Sequence, residues 1–137
     1  MMYENRKGMN MSKQIISTKA APAAIGPYSQ AVKAGNMVYT SGQIALDPET
    51  MKIVTGGITE QSDKVMQNLM KVLEAAGAGA DSVVKTTCFL SDMEHFTAFN
   101  DVYECYFPKN PPARSCVEVA RLPKDVLVEV EAVAVIE

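Results

Sequence analysis

The sequence contains no tryptophan, one histidine and only three cysteines among 137 residues, and these scarcities exclude several kinds of site. A zinc site needs a cluster of His and Cys ligands, and neither a second histidine nor a Cys-x-x-Cys pair accompanies His95. His95 is therefore interpreted as a solvated helix residue, and no metal site is predicted. The cysteines are odd in number and lack paired spacing, so no disulfide framework is indicated. Reduced thiols favour a cytoplasmic protein.

Basic residues and long apolar runs are also scarce. Thirteen Lys and Arg against sixteen Asp and Glu give a net charge of -3, which is the wrong sign for broad neutralisation of phosphates. The charge therefore argues against nucleic acid as a general partner. No run approaches the roughly 20 apolar residues of a membrane span, and no apolar run follows residues 1–10 as a secretory signal requires. Gly56-Gly57 lies in no nucleotide-binding motif and predicts a plain turn.

The length and the 47% hydrophobic content predict one domain. Met11 offers an ordinary start, so we expect residues 1–11 to form a flexible N-terminal extension and residues 12–137 to form the single domain. The core of so short a chain is modest, which makes oligomerisation a natural supplement.

Hydrophobic periodicity and turn residues predict the order strand, hairpin, helix, strand, helix, strand, strand. This order is an α+β plan in which two helices pack on one face of a single main sheet. Gly35-Asn36 suits the tight turn of the hairpin, Gly77 the end of the first helix, and Ser91-Asp92 the start of the second. The predicted elements are a strand over 13–18, hairpin strands over 28–34 and 37–44, helices over 59–76 and from 91 to 108, and strands over 83–91, 113–119 and 127–136.

The last predicted strand is apolar on both faces. One face is uniformly apolar from Val128 to Ile136 and suits the helices. A solvated face should not place Leu127, Val133 and Val135 beside two carboxylates, whereas a face docked on another subunit could do so. We therefore expect a homo-oligomer in which this second face is the interface.

The last two strands also carry charged residues in alternation. Arg114, Cys116 and Glu118 share one face of their strand, and Glu129 and Glu131 share one face of the next. If the two faces coincide, a guanidinium that can pair both oxygens of a carboxylate lies near carboxylates that can deprotonate a water. The hairpin would add side chains to the same place: Tyr39, Ser41 and Gln43.

Each of these residues also has a structural interpretation. An ion pair between Arg114 and a glutamate could merely fix how subunits align, and strand parity alone favours this interpretation. Cys116 could be a nucleophile, but without a nearby histidine a small packed residue is the commoner role. Tyr28, after Gly26-Pro27, could line a pocket or cap the core, and the sequence leaves both open.

Several segments together resemble the Rid/YjgF family of reactive-intermediate imine/enamine deaminases, and the resemblance covers residues 11–137. Motifs in the same order over that span are far more specific than any one of them. The matching segments are Ala-Ala-Ile-Gly-Pro-Tyr-Ser-Gln (23–30), Thr-Ser-Gly-Gln-Ile (40–44), Val-Lys-Thr-Thr (84–87), Pro-Ala-Arg-Ser-Cys-Val-Glu-Val (112–119), Leu-Pro-Lys-Asp (122–125) and Val-Glu-Val-Glu-Ala (128–132).

The resemblance implies a chorismate-mutase-like α+β domain with a mixed sheet. It also implies a homotrimer whose active sites lie between subunits, and no cofactor. It assigns the substrate carboxylate to Arg114 and the hydrolytic water to Glu129. Further positions match the family's pocket: Tyr28, Ser41, Gly42, Asn100 and Cys116.

The implied function is 2-iminobutanoate/2-iminopropanoate deaminase, a hydrolase that converts imino acids released by pyridoxal-phosphate dehydratases to 2-oxo acids and ammonia. An alternative comes from relatives described as RNA-directed translation inhibitors with ribonuclease activity, or as chaperone-like binders. The acidic charge balance argues against an RNA target.

Overall fold

A computed structural model describes residues 2–4 and 10–137. Strand β1 (Met2–Glu4) pairs in antiparallel fashion with β2 (Asn10–Ser12). Residues 1 and 5–9 of the predicted extension lie outside the described residues, so its flexibility stays a prediction.

The domain has six further strands, which form one sheet, and two α-helices, as the sequence predicts. The helices are α1 (Ile58–Ala75) and α2 (Phe96–Tyr106). Neither helix, within the described part of the chain, is both long and apolar enough to cross a membrane. The strands are β3 (Gln14–Ile16), β4 (Ala31–Ala34), β5 (Met37–Thr40), β6 (Val83–Leu90), β7 (Ala113–Glu118) and β8 (Val128–Val135).

The sheet is mixed and has the order β3-β4-β5-β8-β6-β7. The hairpin β4–β5 forms at Gly35-Asn36 as predicted, although its strands are shorter than the predicted ranges. β6 and β7 are parallel neighbours, and α2 provides the crossover between them. β8, the last strand, inserts between β5 and β6 and is antiparallel to both. The C-terminal strand therefore occupies the middle of the sheet, and β7 lies at one edge.

Helix α1 buries one apolar stripe against the sheet. Val65, Leu69 and Val72 have no exposed surface, and their spacing of three and four residues places them on one helix face. The helix ends two residues before Gly77, close to the predicted limit. At its start, Glu60 Oε1 accepts a hydrogen bond of 2.7 Å from the Gly57 amide, which satisfies one of the free donors of the first turn.

Helix α2 follows a short 3₁₀ turn at 93–95. The Asp92 carboxylate caps that turn by accepting a 2.9 Å hydrogen bond from the Glu94 amide, which confirms the predicted cap. Phe99, Tyr103 and Phe107 are buried along one stripe, and their rings contact one another in sequence. α2 therefore covers the β6–β7 end of the sheet with aromatic side chains.

The helix-facing side of the sheet forms the core. On β8, Val128, Val130 and Ala134 are completely or almost completely buried, as predicted. On β6, Val83 is buried and Val84 is 45% exposed, although strict alternation with the buried Thr86 would place Val84 on the apolar face. The pairing with β8 shifts register between Val83 and Lys85, and such an irregularity reverses the alternation of faces there.

The opposite side of the sheet is partly apolar and open. Ile15, Tyr39 and Val117 project from it with 51%, 48% and 42% of their surface exposed. Within the described residues both helices pack on the other side. The predicted second apolar face is therefore present, and a docking surface would bury it.

Two buried amides on α1 fix the backbone near the sheet. Asn68 Nδ2 donates to the carbonyls of Ile44 at 3.0 Å and Leu46 at 2.9 Å. Gln61 Oε1 accepts from the Leu127 amide at 2.9 Å, immediately before β8 begins. Because an unpaired buried amide is costly, these bonds hold the loop after β5 and the start of β8 in place.

The turn before α1 should be sensitive to substitution of Gly56, with a loss of stability. Gly56 has φ of 113°, and a β-carbon there would lie 2.7 Å from Glu60 Cδ, so Gly56→Ala strains the backbone and displaces the cap. We expect the free energy of unfolding of Gly56→Ala, measured in urea, to be about 1–3 kcal/mol lower than that of the wild type. Gly79→Ala is the matched control, because Gly79 has no positive φ and open space around its β position. An equal loss in both variants would contradict the strain argument.

Candidate active site

Strand register decides where the predicted site residues lie. Arg114 on β7 is opposite Thr86 on β6, and Thr86 is opposite Ala132 on β8. Thr86 and Ala132 are buried beneath the helices, so Arg114 projects from the helix-facing side of the sheet. Glu129 is opposite Phe89, which belongs to the alternate set on β6 and therefore to the open side.

The condition under which the charged residues converge is therefore not met within one chain. Arg114 and Cys116 occupy the helix-facing side, whereas Glu129 and Glu131 occupy the open side, and β6 lies between the two strands. Strand parity was read correctly, but it does not determine how neighbouring strands align. The chain thus carries two separate clusters, one around Arg114 and one around Glu129.

Arg114 is half-buried against α2. Its Nη1 donates a 2.7 Å hydrogen bond to Asn100 Oδ1. The guanidinium carbon lies 4.8 Å from the ring centre of Tyr103, 5.5 Å from that of Phe96 and 6.0 Å from that of Phe99, distances at which a cation is attracted to an aromatic face. One helix thus supplies both a hydrogen-bond acceptor and the aromatic surface for this cation.

A cavity of about 420 Å³ adjoins Arg114, and Asn100, Tyr103 and Pro112 also line it. Cys116 follows two residues later on the same side of β7. Burial raises the pKa of the Cys116 thiol, although the nearby Arg114 acts in the opposite direction. A thiol with a raised pKa is a poor nucleophile, which disfavours covalent catalysis by Cys116.

Glu129 lies at a second cavity, of about 490 Å³, on the open side. Its side chain passes directly over Gly42: a β-carbon at position 42 would lie 2.7 Å from Glu129 Cδ and 2.9 Å from its Cγ. Only glycine therefore leaves room for the carboxylate in this position. Gln43 holds the segment beside β8 through reciprocal backbone hydrogen bonds with Val130 of 2.8 and 3.2 Å.

Ser41 and Tyr28 also line the Glu129 cavity. The Ser41 amide donates to the Gln30 carbonyl at 2.9 Å and its hydroxyl to the Ser29 carbonyl at 2.6 Å, which joins the strand end to the preceding loop. Tyr28 is 48% exposed, so it lies at the cavity wall and does not cap the core. Its phenol oxygen lies 3.4 Å from the Ile25 amide that donates to it.

The electrostatic environment of Glu129 suits a base. Burial, and then the adjacent negative charge of Glu131, raise the pKa of the Glu129 carboxyl above its ordinary value. A carboxylate with a raised pKa binds a proton more strongly, which is what a general base requires. Glu131 lines the same cavity.

Other candidate residues have structural contacts. Glu118 Oε1 accepts a 2.8 Å hydrogen bond from the Met93 amide, so it anchors the start of the turn before α2. His95 is half-buried at the start of α2. In the described part of the chain, no group of three or more His, Cys, Asp or Glu side chains could hold a metal.

Three residues near these clusters were not identified as site residues from the sequence. Tyr103 and Phe96 lie on α2, and their ring centres are 4.8 and 5.5 Å from the guanidinium carbon of Arg114. Asn100 and Tyr103 are three residues apart, so they lie on one helix face. This spacing could have identified Tyr103 as a neighbour of Arg114 on β7, because Asn100 was already a predicted site residue. Lys124, whose φ is 56°, lines the Glu129 cavity. It belongs to the matching segment Leu-Pro-Lys-Asp (122–125), but no site role was predicted for it.

Comparisons with known proteins place these clusters in a family. A RutC family protein of Pyrococcus abyssi is 52% identical over 124 residues, which are 90% of this chain and 98% of that protein. Human 2-iminobutanoate/2-iminopropanoate deaminase is 44% identical over 126 residues, 92% of each chain. The crystal structure of Escherichia coli TdcF with bound serine has a TM-score of 0.87 and 43% identity, and the match covers 90% of this chain and 99% of that one.

A family model described as endoribonuclease L-PSP matches residues 18–136. This range includes both site clusters and every strand of the six-stranded sheet except β3. The fold agrees with that of the solved relatives, and every motif that resembled the Rid/YjgF family lies within the matched range. The chain therefore belongs to the endoribonuclease L-PSP family, the family of the Rid and RutC proteins.

Proposed function

We propose that this protein is an imine deaminase that hydrolyses 2-imino acids such as 2-iminobutanoate and 2-iminopropanoate. In the reaction, water adds to the C=N carbon and ammonia leaves, so that an imino acid and water give a 2-oxo acid and ammonia. The observation that carries the proposal is the pair of clusters: a cation held ready for a carboxylate and a glutamate with a raised pKa, each at its own cavity. The relatives named as deaminases support the same reaction.

Arg114 binds the substrate carboxylate. Asn100 and the aromatic rings of α2 fix the guanidinium, so its planar fork is oriented before the substrate arrives. A fork that pairs both carboxylate oxygens presents the imine carbon in one orientation, which removes part of the entropic barrier to attack by water. Cys116, two residues further along β7, contributes a small side chain beside the substrate.

Glu129 activates the water. Its carboxylate accepts a proton as water attacks, and a general base in such a position contributes typically about 10² to 10⁴ in rate. Gly42 allows the carboxylate to lie where the backbone of residues 41 and 42 can also meet the substrate. Ser41 and Tyr28 complete the cavity wall.

The two clusters meet across subunits. Since Arg114 and Glu129 lie on opposite sides of the sheet in one chain, a site that uses both needs Arg114 from one copy and Glu129 from another. We propose a homotrimer in which the open, partly apolar side of each sheet docks against its neighbours. Such a ring needs a heterologous contact, which is the kind that brings different surface patches together.

The reaction needs little additional chemistry. Imino acids already decay in water, so the site must supply orientation, one positive charge and one proton acceptor, and we expect no metal or cofactor. The polar side chains that line the two cavities carry one guanidinium, one ammonium, three carboxylates, three amides and three hydroxyls.

Substitution of the carboxylate anchor tests the proposal. Arg114→Ala should abolish imine hydrolysis and leave the oligomer intact, and Arg114→Lys should be severely impaired because a point charge cannot replace the fork. The assay measures 2-oxo acid release from a serine or threonine dehydratase mixture. Arg121→Lys is the matched control, since Arg121 pairs with Asp125 on the surface. Retained hydrolysis in Arg114→Ala would refute the anchor.

The same preparations distinguish imine hydrolysis from the ribonuclease activity that the family description names. The net charge of -3 gives no broad basic surface for RNA. We expect no RNA cleavage that depends on Arg114. Cleavage lost in Arg114→Ala together with absent imine hydrolysis in the wild type would favour the nuclease.

Subunit complementation tests the shared site. Arg114→Ala and Glu129→Gln chains, each inactive alone, should regain hydrolysis when they are unfolded together and refolded as mixed oligomers. Random mixing in equal amounts gives about a quarter of the sites an intact Arg114 from one chain and an intact Glu129 from its neighbour. The control mixes either variant with itself. Absent recovery in mixed oligomers of proven composition would place both residues in one chain's site.

The pH dependence of turnover tests the base. Glu129 acts in its charged form, so kcat should fall as the pH drops through its pKa, which burial and Glu131 raise above 4.5. Glu131→Gln removes a negative charge, lowers the pKa of Glu129 and should move this acid limb to lower pH. Glu74→Gln, on the surface of α1 beside Lys71, is the control. An acid limb that is the same in Glu131→Gln and wild type would contradict the coupling.

A further inference from the structure

Tyr103 makes the closest aromatic contact with the cationic group of the Arg114 cluster. Its ring centre lies 4.8 Å from the guanidinium carbon, against 5.5 and 6.0 Å for Phe96 and Phe99. Tyr103 is itself 7% exposed, so this contact lies largely out of water, where attraction between a cation and a ring is strongest.

The phenol of Tyr103 is fixed at its far end. Its oxygen lies 2.7 Å from Thr86 Oγ1, a buried hydrogen bond between α2 and the middle of β6. Thr86 is in turn the residue opposite Arg114 in the parallel pairing of β6 and β7. Burial raises the pKa of Tyr103, so the phenol keeps its proton for this bond. The ring is therefore held at both ends, by Thr86 and by the packing of α2.

The same helix also holds the edge of the guanidinium. Asn100, three residues before Tyr103, accepts the hydrogen bond from Arg114 Nη1. Residues three apart lie on one helix face, so the acceptor and the ring move as one unit. The Asn100 oxygen fixes the direction in which the guanidinium points within its own plane. The Tyr103 ring limits rotation of the guanidinium out of that plane.

We propose that Tyr103 is a positioning residue that sets the plane of the Arg114 guanidinium. It thereby makes the site selective for substrates with a carboxylate over the corresponding carboxamides. The proposal rests on the function proposed for Arg114. Tyr103 acts through the arginine. Its loss should weaken carboxylate binding more than it slows the attack of water on the bound imine.

The selectivity follows from geometry. Two parallel N–H groups match the two oxygens of a carboxylate only when the planes coincide, whereas a single hydrogen bond to a neutral carboxamide tolerates a rotated fork. A guanidinium that is free to rotate should therefore lose more affinity for the carboxylate than for the amide of the same imino acid. The ratio of the two KM values reports this difference.

Two substitutions at Tyr103 separate the ring from its anchor. Tyr103→Leu removes both and should raise KM for 2-iminobutanoate about tenfold, with kcat within about twofold. Tyr103→Phe keeps the ring and loses the bond to Thr86, so we expect a rise of about threefold. Leu73→Ala is the control, because Leu73 is a fully buried residue of α1 outside both clusters. It should lower Tm and leave KM unchanged.

A spectroscopic measurement reports the arginine directly. In protein labelled with ¹⁵N-arginine, rotation of the Arg114 Nη groups should be slow in the wild type and in Leu73→Ala and fast in Tyr103→Leu. Unchanged rotation, or an equal loss of carboxylate selectivity in Leu73→Ala at matched Tm, would overturn the positioning role. If the wild type failed to hydrolyse imines, the proposed function would fall, and the rotation measurement would still decide whether Tyr103 orients Arg114.

Discussion

The alternation of side chains along β-strands is the constraint on which this site depends. β7 pairs with β6 so that Arg114 lies on the side of Thr86, and β8 pairs with β6 so that Glu129 lies on the side of Phe89. A one-residue shift in either pairing would bring the two charges to the same side. The observed register keeps the guanidinium and the carboxylate apart, so both can interact with a ligand.

This separation connects oligomerisation with chemistry. The side of the sheet that carries Glu129 also carries Tyr39 and Val117, which are too exposed and too apolar for a solvated surface. In the proposed trimer, docking buries this surface and brings the Arg114 of a neighbouring chain to it. The assembly that stabilises a small domain would then also assemble its active site.

Each cluster is supported by a different helix. α2 provides Asn100 and Tyr103 for the arginine. α1 provides two amides for the other cluster. Asn68 holds the loop after β5, which contains Gly42, and Gln61 holds the start of β8, two residues before Glu129. The polar groups of the core thus position the two clusters independently.

The sequence by itself determined the elements of the fold and the residues that are proposed to bear the chemistry. Apolar periodicity located α1 and α2, Gly35-Asn36 located the hairpin, and alternation identified the buried face of β8. These features are local, because each depends on residues a few positions apart. The set of motifs along the chain likewise identified the family.

Tertiary structure alone decided how the strands align and what surrounds each charge. The irregular pairing that exposes Val84, the opposite sides of Arg114 and Glu129, and the approach of Tyr103 to Arg114 all depend on contacts between distant segments. Strand parity says which residues share a face, but hydrogen bonding between strands says which faces coincide. The sequence thus named the arginine and the glutamate, and the register of three strands placed them on opposite sides of one sheet.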